Sequence, residues 1–247
     1  MTDGHVLIIG ATSPIARYTA EALGKMGYQP VLAARDAEEL ERLGSDLRIR
    51  TGLDVKTVVF DADDVDGIPG WIDEAWEALG PWAGMVWAVG DMGEQTEMES
   101  DPLRANAVWN RNLVAPAAAM TAFGMRLAQQ EDGFIIGIGS VAGDRGRRKN
   151  YFYGAAKAGF HAFMQGLRSR LYDSHVRVIT IKPGFVDTSM TFGMKGLFLL
   201  GNPRKIGFQI ARTLDGKKDV VYLPGPWRWI MFIVRAIPEG IFKKLSF

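Results

Sequence analysis

Seven short apolar runs, separated by segments of helical period, constrain this sequence more than any other feature. They fall at 5–10 (HVLIIG), 30–34 (PVLAA), 55–60 (VKTVVF), 85–89 (MVWAV), 134–138 (FIIGI), 176–181 (VRVITI) and 220–223 (VVYL). Most are nearly continuous rather than alternating, as strands are when helices cover both faces of a parallel sheet. Helical stretches lie between them at about 14–26, 37–50, 68–79, 101–130, 151–173 and 203–214. Such alternation calls for right-handed crossovers, hence an α/β fold with one doubly wound, mostly parallel, seven-stranded sheet. No repeat or low-complexity linker interrupts it, so residues 1–226 read as one domain and 227–247 as an appended tail. Ligands of these sheets sit beyond the carboxyl ends of the strands, where the strand order reverses. Residues just after strand ends are therefore the site candidates.

Charge and composition exclude several function classes. The 247 residues carry 29 Lys+Arg against 28 Asp+Glu, a net charge of +1. That balance argues against nucleic acid as the main partner. There is no Cys, which removes disulfides, thiolate metal sites and thiol catalysis together. His5, His161 and His175 are too scattered for a metal motif, and no metal is expected. No uncharged apolar stretch reaches the roughly 18 residues a membrane span needs. The start, Met1-Thr-Asp-Gly, lacks the layout of a signal peptide. The expectation is a cytoplasmic protein.

The turn after the first strand is GATSPIA, beginning at Gly10. It lacks the three-glycine G-x-G-x-x-G fingerprint, yet it meets the same physical needs. Gly10 permits a tight turn, Ser13 suits an N-cap, and Pro14 suits the first helical position, where a missing N–H costs nothing. The free N–H groups around Ile15, with the Thr12 and Ser13 hydroxyls, would face a pyrophosphate. A plain strand-to-helix turn fits this segment equally well. After the second strand, Ala34 stands where a carboxylate would bind a ribose 2′-hydroxyl, and Arg35 follows, which favours a 2′-phosphate and so NADP(H). The bland alternative is a helix-cap arginine paired with Glu38 or Glu39. Asp61 and Ala62, after the third strand, read as an adenine contact or as part of a solvated acidic turn.

The segment Tyr153-Gly-Ala-Ala-Lys157 places a phenol and an ammonium on one helix face, four residues apart. A free phenol has a pKa of about 10, and a nearby cation lowers it. Such a pair can protonate a carbonyl oxygen while hydride reaches the carbon. Ser140, at the end of the fifth strand, could polarise the same oxygen. A Tyr and a Lys at this spacing also occur as ordinary surface decoration, so the pair by itself decides nothing. Tyr151, which lacks a lysine partner at this spacing, is expected in the pocket wall.

With these motifs in register, the chain resembles the short-chain dehydrogenase/reductase family over essentially its whole length. Y-x-x-x-K falls on Tyr153 and Lys157, the serine 13 residues earlier on Ser140, the helix-four asparagine on Asn112 (NLVAP), and the Pro-Gly turn on Pro183 (PGFVDT). The resemblance implies a Rossmann-fold oxidoreductase with Tyr153 as general acid/base and Lys157 tuning it while holding the nicotinamide ribose. It further implies that Ser140 binds the reacting oxygen, Asn112 holds the water of a proton relay, and Val186 and Thr188 meet the carboxamide. A homo-oligomer is expected from the same source. There are departures. The family's T-G-x-x-x-G-x-G keeps only Gly10, and its N-N-A-G after strand four is Trp87-Ala-Val-Gly90, which loses a strand-bracing asparagine but keeps Gly90.

Three features bear on substrate. Asp144-Arg-Gly-Arg-Arg-Lys149 places four cations between Ser140 and the catalytic helix, where they could bind a substrate phosphate or form a solvated loop. FGMKGLFLL at 192–200 is an apolar stretch in the family's substrate-covering loop, suiting a greasy substrate or a core-packing helix. The tail is basic and aromatic: Arg228, Arg235, Lys243 and Lys244 face Glu239 alone. Arg228 and Arg235, seven apart, share a helix face with a broad apolar surface expected opposite, and Pro238 divides the tail into two pieces. An interfacial helix touching a membrane surface and a segment packed on the body or on a sister subunit both fit. The combination of Gly143-Asp-Arg-Gly-Arg147, Tyr153-Gly-Ala-Ala-Lys157 and Pro224-Gly-Pro-Trp-Arg228 before an aliphatic tail is similar to the decaprenylphosphoryl 2-keto-pentose reductase subgroup. It implies an NADPH-dependent ketone reductase, cytoplasmic or peripheral to the inner membrane face, acting on a hydrophobic or lipid-linked ketone. A small-molecule carbonyl or 3-oxoacyl reductase, or a catalytically silent NADP-binding sensor, are the alternatives.

Overall fold

The computed structural model describes residues 4–245. All seven apolar runs form strands: β1 (His5–Ile9), β2 (Gln29–Ala34), β3 (Lys56–Val59), β4 (Trp82–Trp87), β5 (Gly133–Ile138), β6 (Val176–Pro183) and β7 (Val220–Leu223). They pair in parallel in the order β3-β2-β1-β4-β5-β6-β7, so the order reverses between β1 and β4. The helices are α1 (Pro14–Lys25), α2 (Ala37–Thr51), α3 (Ile68–Leu79), α4 (Gln95–Ser100), α5 (Ala105–Trp109), α6 (Ala115–Gln130), α7 (Tyr151–Arg170), α8 (Pro203–Ala211), α9 (Trp227–Ala236) and α10 (Glu239–Phe242).

The two-residue period of a strand divides the core. On β1, Val6 and Ile8 join Leu23 of α1 and Ile206 and Ile210 of α8. Leu7 and Ile9 face the other way, onto Ile72 of α3, Phe123 of α6 and Phe160 of α7. Each such side chain, removed from water, contributes about 1.5–3 kcal/mol. A continuous apolar run is thus what a strand between two helix layers requires.

The stretch expected as one helix over 101–130 is broken. Asp101 accepts a hydrogen bond from the Leu103 amide and caps a 3-10 turn, Pro102–Arg104. α5 then passes into a π turn, Asn110–Val114, before α6 resumes. Pro116 has no N–H to give the carbonyl four residues back, so the ladder widens ahead of it. This places Asn112 at the irregular turn, facing the end of β4.

The tail does break at Pro238, and α9 lies on the body. Trp227 and Met231 are buried with Val141, and Phe185 meets the Trp227 indole edge-on at 5.4 Å. Arg145 ties the far end: it donates to the carbonyls of Val234 (2.8 Å) and Ile237 (2.5 Å) and pairs with Glu239 (2.8 Å). The arrangement of charge differs from expectation. Arg228 and Arg235 share the exposed face with Trp229, Phe232 and Ile233, because the opposite face is taken up by packing. Residues 1–3 of the first predicted domain and 246–247 of the tail lie outside the described residues.

Candidate active site

β1 runs into Gly10, whose φ of +82° only glycine adopts without strain. A Cβ there would also strike the backbone of Ala88 and Val89 after β4. The Gly10 amide donates to Ala33 O at 2.9 Å, and Ser13 caps α1 by backbone shape alone, leaving its hydroxyl free. With Pro14 at the helix start, free N–H groups and a free hydroxyl border the same cavity.

That cavity, about 510 Å³, lies beyond the carboxyl ends of the central strands. It is lined by every sequence-derived cofactor candidate: Gly10, Thr12, Ser13, Pro14, Ile15, Arg35, Asp61, Ala62, Gly90, Pro183, Val186 and Thr188, with Tyr153 and Lys157. Ser140 lines it too. Tyr151 does not; it is exposed and stacks on Phe152 at 4.7 Å. Asn112 is also off the lining: fully buried, its amide donates to Asp91 O (2.6 Å) and Val108 O (2.8 Å) and its oxygen accepts from the Asp91 amide (3.4 Å). Both N–H bonds are committed, so Asn112 braces the loop after β4.

At the inner end, α7 carries Tyr153 and Lys157 on one face, with Nζ 5.7 Å from the phenol ring centre. Ser140 lines the same wall as the phenol and favours its ionised form, and the Ser140 oxygen accepts from the Ala142 amide at 3.1 Å. Lys157 donates to Ile138 O at 3.3 Å. The electrostatics correct the expectation of an acidified phenol. Burial pushes Tyr153 up to about 12, with Ser140 pulling the other way and Asp91 reinforcing the rise. Burial lowers Lys157 to about 7, because the ammonium gives up water without gaining a carboxylate. Desolvation here outweighs the mutual effect of the pair.

At the outer end Arg35 is largely exposed and reaches Asp63 only at 3.3 Å; it does not pair with Glu38 or Glu39, which Arg42 takes. Asp63 is instead gripped by Arg111 of the π turn through two bonds of 2.6 and 2.7 Å, and Arg111 also holds Asp91 at 2.6 Å. Arg111 keeps the Asp63 carboxyl below its usual range, with burial opposing. This triad joins residues 48 and 20 positions apart, and no local pattern announces it. Nor does any announce the cluster behind Ser140. There Asp144 is buried and receives Lys182 (2.5 Å) and the Tyr222 hydroxyl (2.7 Å), with His161 Nδ1 at 3.6 Å. Of the four loop cations, Arg147 lines this cavity, and Lys149 lines the open cavity adjoining it. No group of metal-ligating side chains occurs among the described residues.

The Ser13 hydroxyl, the amides of Thr12 and Ile15, the loosely held Arg35 and the buried Tyr153–Lys157 pair all border one cavity, and they fit a nicotinamide dinucleotide. Fold and site together define a nucleotide-dependent oxidoreductase of the doubly wound class. The family model for short chain dehydrogenase matches residues 4–195, and the chain belongs to that family. An uncharacterized oxidoreductase of Mycobacterium tuberculosis is 33% identical over 240 residues, 97% of this chain and 96% of the relative. Among solved structures, a short-chain dehydrogenase from Sphingobium yanoikuyae in complex with NADPH superposes with a TM-score of 0.78. It is 23% identical and spans 98% of this chain and 96% of its own. A bulky-bulky ketone specific alcohol dehydrogenase from Comamonas testosteroni gives 0.80 at 22% identity, spanning 100% and 96%. At these identities the structures establish the fold.

Proposed function

We propose that this protein is an NADPH-dependent reductase of ketones to secondary alcohols, acting on a hydrophobic or lipid-linked substrate such as a polyprenyl-phosphate keto-sugar. The observation that carries the reading is the convergence of Ser140, Tyr153 and Lys157 on the inner wall of the cavity whose outer end holds Arg35. Gly10, Thr12, Ser13 and Ile15 would hold the pyrophosphate, Arg35 the 2′-phosphate, Asp61 and Ala62 the adenine, Lys157 the ribose, and Pro183, Val186 and Thr188 the carboxamide. When bound, the reduced nicotinamide supplies a hydride to the carbonyl carbon. Ser140 orients the carbonyl oxygen. As the C=O π pair moves onto that oxygen, Tyr153 gives up its hydroxyl proton to it. With a pKa near 12 the phenol is fully protonated at neutral pH, and an alkoxide is the stronger base, so transfer runs downhill.

The lipid-linked part of the proposal has its own support. Phe192, Phe198, Leu199 and Leu200 are exposed, and Phe198 stacks on Trp227 at 5.1 Å, bringing that loop against α9. Trp229, Phe232 and Ile233 are exposed on α9 with Arg228 and Arg235, giving a surface with the composition of an interfacial segment, and Lys195 adds a cation in the loop. We place this surface on an anionic membrane, with the protein as a peripheral partner. No helix among the described residues is long and apolar enough to cross one. The NADPH-bound and ketone-specific neighbours agree with the chemistry.

Tyr153→Phe tests the mechanism. Turnover of a confirmed ketone should fall about 10²–10⁴-fold, with NADPH affinity by calorimetry near that of wild type. Undiminished turnover would overturn the mechanism.

A further inference from the structure

We infer that Arg147 forms an anion-recognition subsite on the substrate side of the cavity, with the Asn150 carbonyl oxygen beside it to accept from a neighbouring hydroxyl, so the ketone carries a phosphate-type group. The inference rests on the reductase reading of this cavity and names the class of substrate it takes.

The four cations after Ser140 have separate fates. Arg145 is spent on the carbonyls at the end of α9 and on Glu239, and its guanidinium lies 3.8 Å from the Phe242 ring centre. Arg148 and Lys149 are exposed. Arg147 turns inward and lines the cavity together with Ser140, Tyr153 and Asn150. Its Nε is buried without a hydrogen-bond partner, and its Nη2 donates to the Met231 sulfur of α9 at 3.5 Å. A thioether is a weak acceptor. Among the described residues no carboxylate lies within ion-pairing distance of Arg147. Asp144, the acid nearest in sequence, is already committed to Lys182 and Tyr222.

A guanidinium in this position is costly unless something charged completes it. Burial does push Arg147 below the usual arginine range, with the Asp144 charge only partly opposing it. Asn150 presents a second unmet group on the same wall. It stands at the N-cap of α7, yet its side chain caps nothing, and its buried Oδ1 lacks a partner. A planar fork of N–H donors beside a free amide oxygen, which can only accept, suits a phosphate ester flanked by a hydroxyl. The tail thereby acquires a role inside the site, since Met231 supports the side chain that faces the substrate.

The test is calorimetric titration of the NADPH-saturated protein with decyl phosphate, decanol and inorganic phosphate; none contains a ketone, so none turns over. Wild type should bind decyl phosphate at least about 10-fold tighter than decanol. Arg147→Met should erase that preference, Arg147→Lys should restore part of it, and Arg148→Met should keep all of it, each with an unchanged thermal melt. Decyl phosphate binding tighter than inorganic phosphate assigns a lipid phosphate; equal binding assigns a soluble phosphate ester; both support the subsite. A preference that survives Arg147→Met, or its absence from the wild type, overturns it. Failure of the reductase reading shows separately, as absence of NADPH binding, and the Arg147-dependent preference is then read on the free chain.

Discussion

A phenol held near 12 and an amine held near 7, one helical turn apart, make the resting state of this site a neutral pair above pH 7. Lys157 is depressed from 10.5, so folding favours its neutral form. That contribution is complete above about pH 10.5 and is lost as pH falls toward 7. Lys157→Met should therefore leave Tm unchanged or higher at pH 7 while turnover falls by at least about 10²-fold; a large drop in Tm would contradict this account of the burial. His161 obeys the same sign. Burial, then Lys182 and Lys157, lower it from 6.5 to about 3, so the folded state wants it neutral. Stability from His161 is present above pH 6.5 and is lost between 6.5 and 3. In His161→Gln the decline of Tm from pH 6.5 to 4 should be shallower than in wild type, as thermal melts across that range would show. The Tyr153–Lys157 spacing was legible in the sequence. The direction of both pKa shifts was not, because burial is a property of the packed site and spacing carries no information about water.

At the scale of the element, the π turn is the part that local reasoning missed. It delivers Asn112 to the β4 loop and Arg111 to Asp63 and Asp91 together. By taking both oxygens of Asp63 at 2.6 and 2.7 Å, Arg111 leaves that carboxylate only a longer, 3.3 Å contact with Arg35. Arg111→Ala should raise the Kd for NADPH by about 10-fold, with NADH affected much less, whereas Arg35→Ala should weaken NADPH alone by a similar factor; equal losses for both cofactors would contradict the assignment. The seat of α9 is the second such element. Gly184 lies so close to the Trp227 indole that a Cβ would overlap it. Trp227→Ala removes a buried indole and should cost about 3–5 kcal/mol in chemical denaturation. The aromatic character of the tail was visible in its residues. Which face would dock was not, since its counterpart includes Val141 and Phe185, far away in the chain.

For the whole molecule, the docked tail changes how the membrane proposal is tested. Deleting 227–247 would strip Trp227 and Met231 from the core and leave Arg145 without its partners, so loss of function would follow from unfolding alone. Trp229, Phe232 and Ile233 are exposed and can be changed to Ser together. The triple variant should keep its Tm within about 2 °C of wild type and lose co-sedimentation with phosphatidylglycerol-containing vesicles that wild type retains. Wild type that fails to sediment would refute the membrane contact.

The sequence by itself determined the seven strands, the layered α/β architecture and the identity of the groups at strand ends. Those depend on hydrophobic period, turn chemistry and short spacings, which are local quantities written along the chain. Only the tertiary structure decided which of four neighbouring cations faces the cavity, what Asn112 does with its amide, and which side of the tail meets water. Each of those turns on partners tens of residues distant, and on how much water their packing removes.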